Sequence, residues 1–447
     1  MSTGFIRVKR KNFYLDDKKI MLFGYGIGSW LNLEHFMIGL PGTDLQIRTA
    51  IISAYGKENA VKFWKKFYKS FIDEDDFKFL KKIGINTLRI PFNYRLFEDD
   101  QNPYSYKKEG FNEIDRILKL CEKYELFIVL DLHAAPGGQN PDWHSDNAVG
   151  VNLFWEYSDF RKRTVSLWKY IAKKYAFNKW IAGYDLLNEP VLWSQDKKLF
   201  NQFYIELISE IRKVDKNHII FVEGNLYGTD FKIFEPFEDP NIALSFHYYP
   251  FMRQGLLNKK SRKERILETL LEDVPLKYMS EKLKRPIWCG ETGALFNYGN
   301  RTQHEWMLKD ILDIYKELEI SWSVWTYKDA RSMGTVHPKE NSEWMIFSTK
   351  SKQSWIFWDD FNSRYKAVNS LIKKYQIDVS EFEKFKLGFR ILANNQFVLK
   401  ERYNDLFKHI PFESFISYTD SFKFNNCEVW NAVADMVMNY TKLKSSG

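Results

Sequence analysis

Short runs of consecutive aliphatic, β-branched and aromatic residues alternate along the chain with longer stretches in which apolar residues recur every third or fourth position. Eight short runs stand out: MLFGYGIG from Met21, NTLRIPF from Asn86, LFIVLDLH from Leu126, IAGYDLLNE from Ile181, HIIFVEGN from His218, IALSFHYY from Ile242, PIWCGETG from Pro286 and SWSVWTYK from Ser321. Apolar on both faces, they read as strands buried on both sides. The stretches between them, such as DEDDFKFLKKIG, FNEIDRILKLCEKY, FRKRTVSLWKYIAKKY, FNQFYIELISEIRKV and EWMLKDILDIYKEL, read as amphipathic helices. This alternation implies a parallel sheet covered by helices. Eight such units over about 350 residues predict an α/β fold of the (β/α)8 barrel type. An open doubly wound sheet is the competitor, and no Gly-rich phosphate loop follows the first run to support it.

Two stretches enlarge the predicted barrel. Residues 36–75, including LQIRTAIISAYGKENAVKFWKKFYKSF, form a helical insertion after the first strand. Residues 1–375 are assigned to the barrel and 376–447 to a helical appendage packed on it, carrying the patterns SEFEKFKLGFRIL and NAVADMVMNYTKL. No Pro/Gly/Ser-rich linker separates the two parts, which argues against an independent domain.

Composition narrows the function classes. With 45% hydrophobic and 28% charged residues in 447, the chain is of the soluble globular kind. The net charge of +8 comes from 66 basic and 58 acidic residues interspersed along the chain, a solvated surface rather than a nucleic-acid footprint. No window is apolar for long enough to span a bilayer, so neither a nucleic acid nor a membrane is an expected partner. No signal peptide is legible at the N-terminus, which predicts a cytoplasmic protein, or a secreted one if a leader has been removed. Cys121, Cys289 and Cys427 are too few and too scattered for a disulfide framework. Nothing in the pattern specifies an oligomeric state. Aromatic residues make up 17%, with 15 Trp, enough to supply stacking faces for sugars as well as core.

Polar side chains collect at the C-terminal ends of the apolar runs, where barrels carry their chemistry. Arg89 ends the second run, His133 the third, Asn188 and Glu189 the fourth, Glu223 and Asn225 the fifth. His247 and Tyr249 end the sixth, Glu291 the seventh and Trp325 the eighth. A carboxylate closing an apolar strand is costly unless something pairs with it. Alone, each Glu is equally an ordinary strand-end ion pair. Across one barrel mouth, Glu189 and Glu291 are the pair that cleavage of an acetal linkage requires, one protonating the leaving oxygen, the other attacking the anomeric carbon or activating water. Glu223 reads as a hydrogen-bonding partner. His133, Glu189, His247 and Glu291 also invite a metal, but they lie on four strands without a His-x-His or His-Glu-x-x-His cluster; no metal and no cofactor are expected. Trp325, Trp143, Trp193 and Trp30 are candidates to stack on sugar rings. The segment from His144 to Asn147 either reaches a substrate or is a polar surface loop.

Arg89, His133, Asn188-Glu189-Pro190, His247, Tyr249, Glu291 and Trp325, in that order, resemble the conserved set of glycoside hydrolase family 5, the cellulase-like retaining enzymes, across about residues 20–330. The resemblance implies that Glu189 is the general acid/base, Glu291 the nucleophile and Asn188 a partner of the sugar 2-hydroxyl. It further implies that Arg89 bonds the nucleophile, that His133 and Trp325 line the subsite of the cleaved sugar, and that His247 and Tyr249 orient the carboxylates. GSWLNLEHF and LDLHAAPGGQN look most like the exo-β-1,3-glucanase branch, which implies that Glu34 grips the terminal sugar; GETGA stands where that branch has Gly-Glu-Trp. The function implied is retaining hydrolysis of β-glucosides or β-glucan oligosaccharides through a covalent glycosyl-enzyme, exo-acting, with a carbohydrate as partner. An endo-acting cellulase or mannanase type is the alternative, as is a non-catalytic carbohydrate-binding barrel, against which the retention of both carboxyls counts. Arg89 is expected to hold Glu291 ionised, and Glu189, lacking a cationic partner, to rest protonated.

Overall fold

The computed structural model describes residues 4–252, 262–296, 300–353, 361–380, 384 and 403–442. All eight apolar runs are strands of one closed barrel: β1 (Phe23–Gly26), β2 (Thr87–Asn93), β3 (Phe127–Ala134), β4 (Ile181–Asp185), β5 (Ile219–Glu223), β6 (Ile242–His247), β7 (Ile287–Thr292) and β8 (Ser321–Val324). Neighbours pair in parallel, and β8 closes the ring on β1 with Trp322 opposite Phe23 and Val324 opposite Tyr25. Every residue of β2 through β6 is buried, as two-sided apolar strands require.

Helices cover the barrel where the three- and four-residue spacings place them: Glu74–Lys82, Lys108–Tyr124, Ser158–Tyr175, Lys197–Arg212 and Arg301–Glu317. Lys108–Tyr124 buries Phe111, Ile114, Ile117, Leu118 and Cys121 as one stripe. Glu74–Lys82 is started by Asp73, whose side chain accepts from the N–H groups of Asp75 and Asp76, and it ends in Lys81 and Lys82, charges that suit the helix dipole. The fifth unit departs from the pattern. Here β5 runs into the single turn Asn225–Gly228, with Leu226 and Tyr227 in the left-handed region.

Two strand ends differ from expectation. Arg89 lies inside β2 rather than at its end, because β2 keeps pairing with β3 as far as Asn93 opposite Ala134. Asn188 and Glu189 lie beyond β4, which ends at Asp185. A further sheet was not legible at all. Ile6–Lys9, Asn12–Leu15 and Lys18–Ile20 form an antiparallel three-stranded sheet. Its Ile6 and Phe13 pack with Leu22, Phe127, Ala182, Ile219, Phe221 and Trp288, plugging the end of the barrel where the strands begin. Strands of three or four residues, broken by Arg10 and Asp16 at positive φ, carry too short a period to be seen in the sequence.

The insertion forms helices Asp44–Tyr55 and Lys57–Phe71. In the C-terminal region, Phe412–Tyr418 and Asn431–Lys442 are helical, while most of SEFEKFKLGFRIL lies outside the described residues. Phe415 stacks on Phe63 of the insertion, with centroids 4.6 Å apart and planes 7° from parallel. Cys427–Val429 pairs with Val336–Pro338, a strand where only helices are predicted. Beneath this junction Lys328, just after β8, bonds Asp76 at 2.5 Å and the Phe422 carbonyl at 2.8 Å, and the Tyr327 hydroxyl donates to Asp76 at 2.7 Å. Lys328 and Asp76 are fully buried, and burial pushes the Asp76 carboxyl up against the pull of Lys328. Lys328→Ala leaves Asp76 buried without its cation, and equilibrium urea unfolding should register a loss of about 3–5 kcal/mol. A loss below about 1 kcal/mol, the range of a surface pair, would contradict a structural role for this staple.

Candidate active site

Where the strands end, the barrel opens into a cavity of about 600 Å³. Its wall contains Glu34, His133, Trp143, Glu189, His247, Tyr249, Glu291 and Trp325. Arg89 and Asn188, the two remaining predicted residues, lie fully buried beneath it.

Arg89 organises the floor. Its guanidinium donates to Glu291 Oε1 at 2.5 Å, Asn188 Oδ1 at 2.7 Å, Glu223 Oε1 at 3.0 Å and Asp185 Oδ2 at 3.3 Å, and lies 3.1 Å from Asp131 Oδ2. A planar fork of five N–H groups can serve that many acceptors; a lysine cannot. Four carboxyls crowd this one guanidinium. Burial and the neighbouring Glu223 push Asp185 well above the usual carboxylate range, outweighing Arg89. Glu291 takes a second donor, the Tyr249 hydroxyl, at 2.6 Å on Oε2.

Glu189 stands on a strained pedestal. Its φ is +45°, a left-handed conformation that costs a non-glycine residue about 1–2 kcal/mol. The pose is pinned from both sides: its N–H donates to Glu223 Oε2 at 2.8 Å, and its carbonyl accepts from Asn140 Nδ2 at 3.0 Å. Glu223 thus holds Arg89 with one oxygen and the Glu189 backbone with the other, the partner role expected of it. The carboxyl of Glu189 is not without partners, which corrects the expectation from sequence. His247 Nδ1 lies 2.7 Å from Oε1 and His144 Nε2 lies 3.2 Å from Oε2. Burial pushes this carboxyl up; hydrogen bonds from His144 and His247, where those rings carry protons toward it, outweigh burial and hold it below the usual carboxylate range. Burial opposes a charge on His247, yet Glu223, Glu291 and Glu189 raise it well above an ordinary imidazole.

Across the cavity, Trp325 lies parallel to His133, with centroids 5.4 Å apart and planes at 5°. Its ring fits against Gly26 and Gly28, where a Cβ would stand 2.5 Å and 2.8 Å from ring atoms; the last residue of β1 and the glycine two positions beyond it are the slot for this tryptophan. His133 is raised to about 10, because Asp131 at 2.8 Å and Glu34 outweigh burial. Glu34 Oε1 has no hydrogen bond among the described residues and faces His133 Nε2 at 3.6 Å. Trp30 does not reach the cavity: it is buried in the core, with Nε1 donating to the Tyr68 carbonyl. Trp193 is not part of the cavity wall either. His144, left undecided by the sequence, is in that wall; Asp131 and Asp185 of the Arg89 cluster were missed. Asp131 had a signal, since it stands two residues before His133 and so shares its face of β3.

Glu189, His247 and Glu291 offer oxygen or nitrogen atoms within 4.8 Å of one another. These atoms are already engaged with each other, with Arg89 and with Tyr249, so the cluster reads as a carboxyl pair held by donors rather than as a cation cage. Two carboxyls facing one another over a cavity at the C-terminal mouth of a (β/α)8 barrel define a glycosidase. The chain belongs to glycosyl hydrolase family 5, whose cellulase model matches residues 47–331. It is 34% identical to a protein named β-xylosidase from Phanerodontia chrysosporium, over 92% of this chain and 93% of that one. It is 25% identical to a glucan 1,3-β-glucosidase from Schwanniomyces occidentalis, over 57% and 63%. Among solved structures, rutinosidase from Aspergillus niger shares the fold, with a TM-score of 0.55 at 17% identity over 70% of this chain and 90% of that one.

Arg89→Lys keeps the charge and loses the fork. Urea unfolding should show a loss of about 3 kcal/mol, since several buried carboxyls lose their common partner. Wild-type stability in this variant would contradict the role of Arg89 as organiser.

Proposed function

We propose that the protein is an exo-acting retaining β-glycosidase in which Glu291 is the nucleophile and Glu189 the general acid/base. The observation that carries this reading is that an oxygen of Glu189 and an oxygen of Glu291 lie within 4.8 Å of each other across the cavity, a close approach that suits the retaining arrangement. Retaining enzymes hold their carboxyl groups about 5–5.5 Å apart, whereas inverting ones need about 6.5–9.5 Å to admit a water.

In the first step the Glu291 carboxylate, held by Arg89 and Tyr249, attacks the anomeric carbon while Glu189 gives its proton to the departing oxygen. In the second, Glu189 takes a proton from water, which attacks the glycosyl-enzyme and releases the sugar and the Glu291 carboxylate. The face of Trp325 supports the pyranose ring. Asn188 supplies a buried Nδ2 donor that has no partner among the described residues, suited to the 2-hydroxyl. Oε1 of Glu34, with His133 Nε2 at 3.6 Å, keeps acceptor capacity for hydroxyls of a terminal sugar, which supports exo action. For the sugar itself, β-xylosides stand first and β-glucosides second: the relative named β-xylosidase matches nearly the whole chain, while the 1,3-β-glucosidase matches little more than half.

Aryl β-xyloside and β-glucoside should both be screened, with xylo- and gluco-oligosaccharides to follow. Glu189→Gln should lose about 10²–10⁴-fold on a poor leaving group and much less on dinitrophenol, which departs without a proton. Glu291→Gln should lose turnover on both. Early products from oligosaccharides should be single sugars. Internal fragments at early times would contradict exo action, and full turnover by Glu291→Gln would contradict the assignment.

A further inference from the structure

The environment of His144 fixes where the proton of Glu189 resides. His144 Nε2 has two neighbours, Glu189 Oε2 at 3.2 Å and Asn140 Nδ2 at 2.8 Å. The amide of Asn140 cannot be turned around. Its Nδ2 also donates to the Glu189 carbonyl at 3.0 Å, and its Oδ1 accepts the N–H of Asp142 at 3.0 Å. Both contacts pair a fixed donor with a fixed acceptor, and flipping the amide would oppose like with like at each end. Asn140 is fully buried, so no water relieves such a clash. One Nδ2 hydrogen is therefore spent on the Glu189 carbonyl and the other points at the imidazole, so Nε2 accepts it.

A ring nitrogen that accepts from Asn140 has no hydrogen to give Glu189, so the downward pull on this carboxyl is left to His247 alone. Burial and His133, whose ring lies 5.7 Å away, oppose a charge on His144, but Glu189 and Asp142 outweigh them and raise it above an ordinary imidazole. Asn140 opposes that pull at Nε2, because an N–H there would face its amide N–H. On the other oxygen of Glu189, His247 donates from Nδ1, with Glu223 behind it at 3.2 Å from Nε2 and Glu291 at 3.6 Å from Nδ1.

From this geometry we propose that His144, kept neutral with Nε2 unprotonated by Asn140, is a positioning residue that holds the acid proton on Oε2 of Glu189. The inference rests on the acid/base assignment of Glu189 and deepens it. Before cleavage the Oε2–H, 3.2 Å from Nε2, shares the single lone pair of that nitrogen with the Asn140 N–H, a weak three-centre bond from which the hydrogen swings to the glycosidic oxygen. After the proton has left with the aglycone, an anionic Oε2 faces that same lone pair. This repulsion raises the basicity of Glu189 at the step in which it takes a proton from water.

Two readouts test it. The first needs no turnover: the protein has eight histidines, and 15N-histidine NMR resolves the state of each ring nitrogen. The signal lost in His144→Gln should belong to a neutral ring with Nδ1 protonated and Nε2 bare at pH 7. A protonated Nε2 would overturn the proposal. The second is the sign of a pH shift. Removing an acceptor from a carboxylic acid destabilises its protonated form, so in His144→Phe the basic limb of kcat/KM on a poor-leaving-group aryl glycoside should move toward acid by about one pH unit. His144→Gln, whose side-chain oxygen can accept both hydrogens, should restore it. A basic limb that moves toward alkali would mean that His144 donates to an anionic Glu189; a limb that stays in place would mean that the ring only fills space. Either result overturns the proposal. Failure of the parent reading is separate: it would show as a wild-type protein whose turnover is indifferent to Glu189→Gln.

Discussion

The site depends on one buried guanidinium. Arg89 sits beneath the cavity with Glu291, Glu223, Asp185, Asp131 and Asn188 around it, in a place where an unpaired charge would be untenable. Each contact fixes something above it. Through Glu291 it aims one carboxylate at the cavity. Through Glu223 it reaches the backbone N–H of Glu189 and thus the strained turn that presents the opposite carboxyl. Through Asp131 it reaches His133, and through that ring the face of Trp325. The two facing carboxyls, one beyond β4 and the other in β7, come from different sides of the barrel, yet both positions are referred to the same cation.

The chemistry asks these carboxyls to differ, and their surroundings make them differ. Glu291 accepts from a guanidinium and a phenol, with His247 Nδ1 at 3.6 Å. Glu189 meets two imidazoles, whose nitrogens can donate or accept, so the state of its carboxyl depends on which of those nitrogens carry hydrogen. Backbone strain at Glu189 belongs to the same design. A left-handed residue persists only where its surroundings over-determine it, and here Glu223 and Asn140 hold its N–H and its carbonyl.

The barrel was legible because buried parallel strands must be apolar on both faces, and eight such runs stand in the sequence. Glu189 and Glu291 were legible for the converse reason, as carboxyls closing apolar runs of the sequence. What escaped depended on contacts between distant residues. The N-terminal sheet has strands too short to show a period, and Cys427–Val429 becomes a strand only because Val336–Pro338 lies beside it. Trp30 looked like a sugar platform and is core. His144 and Asn140 lie in the loop after β3, whose path no periodicity encodes. Their placement on Glu189 replaced a simple picture, an isolated carboxyl kept protonated by its neighbour, with a hydrogen-bonded one.

The most direct test of the paired-carboxyl account is covalent trapping. A dinitrophenyl 2-deoxy-2-fluoro-β-glycoside of the sugar the enzyme turns over slows hydrolysis of the intermediate more than its formation, so the glycosyl-enzyme accumulates. Intact mass should rise by one fluorosugar per chain, and peptide mapping should place it on Glu291. A fluorosugar on any other residue, or a turned-over substrate that leaves no adduct, would contradict the account.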